Sequence, residues 1–215
     1  MKKMLVLFLF VCIVLCGCTT LQEMSIEDII NKGTHREISI YNKYRKGYKY
    51  NVPSGLYVSS NTDYNEVLNS LDYKYYLYVD VVSYYNKVLE DYEINEDAYI
   101  SMPITYEDKY GYLEVNKLIS GKYLVEIMYN YAKIEVIVDS AQLKEAIANS
   151  ISVLSSVSFN DSILKTLLNE EKFQSGEMEF NIFKTDASTN SEYLQAIDKD
   201  VYVEDNIHDT DLIGN

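Results

Sequence analysis

The chain has 215 residues, with 33 Asp and Glu against 19 Lys and Arg, for a formal net charge of −14. Phosphate backbones and anionic lipid heads repel such a surface, so no nucleic-acid partner is expected. It carries 22 Tyr and no Trp; an exposed tyrosine face suits glycans or peptides, although AT-rich codon usage is the simpler origin of the bias.

Lys2 and Lys3 precede an apolar run over residues 4–15. That is the length of a signal-peptide core and short of the roughly 20 residues that span a bilayer. Leu15, Cys16, Gly17 and Cys18 follow: an aliphatic residue, two small ones and a cysteine. This stretch resembles the lipobox of bacterial lipoproteins, with Cys16 in place of the usual Ala, Ser or Thr. The resemblance implies that residues 1–17 are a signal peptide and that Leu15, Cys16 and Gly17 are read by the signal peptidase. It implies too that Cys18 carries the lipid and that residues 18–24 form a short tether on the extracytoplasmic face of a cell membrane. Two acyl chains anchor stably where one does so marginally. Cleavage would remove Cys12 and Cys16, leaving Cys18 the only thiol of the three. No intrachain disulfide is then available, and the fold must rest on its core.

Residues 25–184 read as one domain. Ser25 caps a short helix with Glu27 and Asp28 in its first turn and Gly33 past its end. Residues 47–60 form two extended pieces around Pro53, Ser54 and Gly55, and residues 64–70 suit a strand. From Tyr75 to Ser83 a strand puts Leu77, Val79 and Val81 on one face and Tyr76, Tyr78, Asp80 and Val82 on the other. Further strands are expected near 97–102 and 110–119, then, after a turn at Ser120 and Gly121, over 122–129 and from Ala132 to Val138. Short turns between successive strands imply a mainly antiparallel sheet. Asp139 and Gln142 have capping-box spacing ahead of a long amphipathic helix over about 140–157. Asn160 caps a second helix carrying Ile163, Leu164, Leu167 and Leu168, and Met178, Phe180 and Ile182 alternate as a last strand. Residues 186–215 hold eight acids and one Lys, a composition that predicts a disordered acidic tail over 185–215.

The fold class is therefore α+β: a mainly antiparallel sheet with the long helix and shorter ones packed on it. The stretch from Tyr48 to Val58 around Pro53, Ser54 and Gly55, with the strand Ile134–Val138 leading into the long helix and Phe159, resembles the PsbP-like fold in pattern. That resemblance implies binding and assembly roles and names no specific one.

No catalytic, cofactor or metal site is read from the motifs. Ser162 and Lys165 match S-x-x-K, but no K-T-G follows and the chain is small for a penicillin-binding enzyme. His35 and His208 are the two histidines, and a triad would rest on His35 without a G-x-S-x-G elbow. Asp209 and Asp211 begin like a calcium loop and then lack its remaining ligands. Asp80 stands among aromatics, where burial would raise its pKa, and reads more simply as a solvated carboxylate. The expectation is a membrane-anchored lipoprotein with a non-enzymatic binding or envelope-assembly domain and an envelope protein or glycan as partner. The alternative is an envelope hydrolase using a carboxylate pair assembled in space.

Overall fold

The computed structural model describes residues 20–169 apart from 38, 39, 63 and 90. The segment Leu15–Cys18, the strand expected around Phe180 and the acidic tail lie outside the described residues. Between these limits the chain is α+β, as expected. A seven-stranded sheet runs in the order β3 (Tyr57–Asn61), β4 (Asn65–Asn69), β5 (Lys74–Val79), β9 (Ala132–Val138), β8 (Tyr123–Tyr129), β7 (Lys109–Lys117), β6 (Ile100–Tyr106). A small sheet joins β1 (Lys43–Tyr44), β2 (Tyr48–Tyr50) and β10 (Ser158–Phe159). Every strand pair is antiparallel.

One face of the large sheet is the core. Leu77, Ile134, Ile127 and Leu113 stand in register across four strands, and each is fully buried. Helix α3 (Leu143–Ser155) lies against β8 and β9, and α1 (Ile26–Thr34) lies on α3. The apolar stripe of α3 goes inward, burying Leu143, Ala146, Ile147, Ile151 and Leu154. Each such Leu or Ile side chain contributes about 1.5–3 kcal/mol by leaving water.

Helix α1 begins as expected, with the Asp28 amide donating to Ser25 Oγ at 3.0 Å. It does not stop before Gly33: the helix runs through to Thr34. A Cβ at Gly33 would lie 2.5 Å from Ile151 Cγ2, so this glycine permits α1 to approach α3 and ends nothing. The long helix is shorter than its apolar pattern. Ser140–Gln142 form a 3₁₀ turn, and Asp139 makes no capping bond. The Asp139 carboxylate instead accepts from the Tyr73 hydroxyl at 2.7 Å. Asn160 does cap α4 (Asp161–Asn169), accepting from the Ile163 amide at 3.1 Å.

The strand expected from Tyr75 to Ser83 breaks at Val79. Asp80 Oδ1 accepts from the Ser83 amide at 2.8 Å and opens α2 (Val81–Asn86). Val81 and Val82 favour strands locally, but a satisfied cap and the complete burial of Val81 decide for helix. Strand β6 starts later than expected and continues through Pro103, which an edge strand tolerates because the missing N–H faces no neighbour.

Candidate functional site

The turn end of the large sheet carries a cavity of about 770 Å³, within the about 300–1,000 Å³ typical of ligand clefts. Five separate stretches of chain build it. The end of α1 supplies Thr34 and His35, and α2 supplies Tyr84 and, just beyond it, Lys87. Two hairpin turns supply Glu107 with Asp108 and Asn130 with Tyr131, and the exit from α3 supplies Ser155 to Phe159. The Asn130 side-chain amide donates to the Val157 carbonyl at 2.9 Å, fastening the β8–β9 turn to that exit.

Its walls are aromatic. Tyr84 and Phe159 stack with ring centroids 3.8 Å apart, and Tyr131 stands edge-on to Tyr84 at 5.5 Å. Lys87 Nζ sits 3.9 Å from the centre of the Tyr84 ring, and His35 lies 3.9 Å from Tyr106. The Tyr84 hydroxyl donates to Asp161 at 2.9 Å. Burial first, and then that bond and the Asp161 charge, push the phenol up to about 12, so it stays a neutral donor at physiological pH.

Backbone strain gathers here as well. Lys87, Glu107, Asn130 and Tyr131 hold left-handed conformations, with φ between 54° and 58°. They are all the non-glycine residues with positive φ among the described residues, and all four line this one cavity. Left-handed backbone costs a non-glycine residue on the order of 1–2 kcal/mol, and such conformations cluster at binding and switch sites. Asn130 and Tyr131 form the two-residue loop of the β8–β9 hairpin, where positive φ matches the strand twist.

A second polar cluster is largely internal, with only Arg45 keeping part of its side chain in water. Glu66 points into the core face beside Leu77 and has no exposed surface. Arg45 meets its carboxylate at 2.5 Å, Tyr50 donates at 2.7 Å and Tyr48 at 3.1 Å. The three partners come from β2 and the β1–β2 turn that leads into it, so the cluster bolts the small sheet to the large one. Burial, followed by the Glu66 charge, pushes both phenols upward. Burial opposes the Arg45 charge, but the Glu66 hydrogen bond and charge outweigh it and raise the guanidinium pKa.

A third cluster lies on the opposite face of the sheet. Glu114, Glu126 and Glu135 stand directly across from one another on β7, β8 and β9. Lys133 approaches Glu135 at 3.1 Å. Tyr112 donates to Glu126, while Tyr92 and Asn95 donate to Glu114 at 3.2 and 3.1 Å. Burial drives the Glu135 carboxyl up to about 7; Lys133 opposes the rise and Glu126 adds to it. Two carboxylates therefore do converge, but neither Glu126 nor Glu135 lines a cavity described here.

The residues singled out by motif fare as follows. Ser162 and Lys165 are exposed on α4 and outside both cavities. His35 is in the cavity wall, with Nδ1 2.7 Å from the Asn31 carbonyl. Asp80 is a helix cap. Among the described residues no group of three or more His, Cys, Asp or Glu is arranged to hold a metal ion. No helix among them is long and apolar enough to cross a membrane. Leu15, Cys16, Gly17, Cys18, His208, Asp209 and Asp211 lie outside the described residues.

Motif reading missed the cavity because its walls meet only in space. The one local signal was the Asn130–Tyr131 pair between two alternating strands. No protein-family model matches the chain, and no curated protein matches its sequence.

Proposed function

We propose that this is a membrane-anchored lipoprotein, held at the extracytoplasmic face through Cys18, whose folded domain binds an envelope component in the turn-end cavity without transforming it. The observation that carries the binding role is the convergence of aromatic walls with all four strained non-glycine residues on that one cavity. Stored strain and stacked rings preorganise a surface, and preorganisation lowers the cost of binding. The lipobox resemblance supports the anchor. The acidic surface leaves attachment to lipid, since basic patches that adsorb to anionic headgroups are not what this composition supplies.

A hydrolase reading would call on Glu126 and Glu135, which stand directly opposite each other on β8 and β9. Neither acid is in the lining of the two cavities, and a general acid or base must come within hydrogen-bond range of the bond it cleaves.

A photo-reactive amino acid at Ser158, inside the cavity, tests the binding role in native envelopes. The control is the same group at Leu71, which is 98% exposed in the β4–β5 turn at the other end of the sheet. A discrete crosslinked product from position 158 and none from 71 is expected. Equal yields, or crosslinking from 71 alone, would remove the cavity from its role.

A further inference from the structure

Leu89 and Tyr131 line the turn-end cavity and also a second one of about 400 Å³. The two are adjoining chambers with a common wall, and their chemistry differs. In the first, the described lining has Arg36, Lys87 and Lys109 with Glu37, Glu107 and Asp108, so its charges balance among the described residues of a chain of net charge −14. In the second, Val88, Pro103, Ile104, Met128 and Tyr112 form an apolar lining in which Asp91 is the only charged residue among the described residues. At the junction Val88 and Leu89 leave more than half of their surface in water, 53% and 54%.

We infer that the two chambers form one site for an amphiphile: a polar head without net charge in the first, its apolar chain in the second under Val88 and Leu89. This rests on the reading of the first cavity as a binding site and adds the class of ligand. An anionic head would meet three carboxylates, and a cationic head three basic groups. A zwitterionic or neutral head meets neither imbalance. A wholly polar ligand would leave the second chamber unused. Burying a chain there is favourable without any directional contact, each buried CH₂ tightening binding about fourfold.

The test uses the full mature chain, residues 18–215, carrying Cys18→Ser so that no lipid of its own competes. Calorimetric titration would compare dodecylphosphocholine, octylphosphocholine and phosphocholine, all below micellar concentration. The dodecyl compound is expected to bind at one per chain and at least tenfold more tightly than the octyl compound, with phosphocholine weakest. Thr105→Trp, an exposed lining residue of the second chamber on edge strand β6, should erase the chain-length dependence and spare the head. Asp108→Lys should move the preference toward dodecylphosphate. Chain-length dependence that survives Thr105→Trp would mean adsorption elsewhere and would overturn the amphiphile. Equal affinity for phosphocholine and its dodecyl form would overturn it as well, while the binding role of the first cavity would stand. No binding by any of the three, together with crosslinking from Ser158, would reject the amphiphile and keep the site for another ligand.

Discussion

Replacing Arg45 by methionine is expected to destabilise the fold by about 3–5 kcal/mol, the range for breaking one partner out of a buried ion pair. Methionine keeps much of the alkyl stem, so the loss is chiefly electrostatic. What remains is the Glu66 carboxylate, without exposed surface, held only by the Tyr48 and Tyr50 hydroxyls. A second substitution, Glu66→Gln, removes that stranded charge and still offers a carbonyl to one phenol. It should therefore recover about half of the loss in the Arg45→Met background. In the wild-type background Glu66→Gln should be destabilising instead, because it removes the guanidinium's charged partner. Urea midpoints of the four proteins form a double-mutant cycle. Additive effects would show that the two sheets are not joined through this pair.

Glu135 is expected to give the domain an unusual dependence on pH. Its carboxyl titrates near 7 in the native state and near the ordinary Glu value once unfolded. Between those values the native state keeps a proton that the unfolded chain has released, so stability falls as pH rises through the window. A shift of that size corresponds to about 3 kcal/mol at most. Glu135→Gln removes the titrating group and gives up the Lys133 pair. The variant should gain roughly 2 kcal/mol over wild type at pH 8 and nothing at pH 5. Urea denaturation at both pH values measures this, and an equal difference at the two would rule out a raised Glu135. Like charges directly opposite on neighbouring strands are destabilising in themselves. Here Glu114, Glu126 and Glu135 are neighbours in register, relieved by tyrosine and asparagine donors more than by cations.

The same device explains the tyrosine content better than an exposed recognition face does. Tyr48 and Tyr50 bond Glu66, Tyr73 bonds Asp139, Tyr84 bonds Asp161, Tyr92 bonds Glu114 and Tyr112 bonds Glu126. In a chain with 33 acids and 19 basic residues, the phenol is a neutral donor that also fills the core. The fold puts many of its 22 tyrosines to structural use.

Local pattern made much of the fold legible. Alternation in Ala132–Val138 and the helical spacing from Leu143 to Leu154 each report a single buried face, and those elements stand where expected. Pattern failed where a contact between distant segments decided the outcome. Gly33 looks like a helix stop until Ile151 is placed beside it. The strand over 64–70 gives no sign that Glu66 is internal until Arg45 and two tyrosines surround it. The stretch Val81–Ser83 looks extended until Asp80 caps a helix there. The cavity lies furthest from local reading, since five stretches between Thr34 and Phe159 must first be brought together. The lipobox is the opposite case, a short contiguous motif whose chemistry requires no fold.

That motif supports everything proposed about where the domain works, and incorporation of labelled palmitate by cells producing the wild type or Cys18→Ser tests it most directly. The account expects label on the wild type, none on the variant, and loss of the variant's attachment as a lipid-anchored protein. Palmitate on Cys18→Ser at the wild-type level would contradict a lipid anchor on Cys18, and with it the placement of the cavity at a membrane surface.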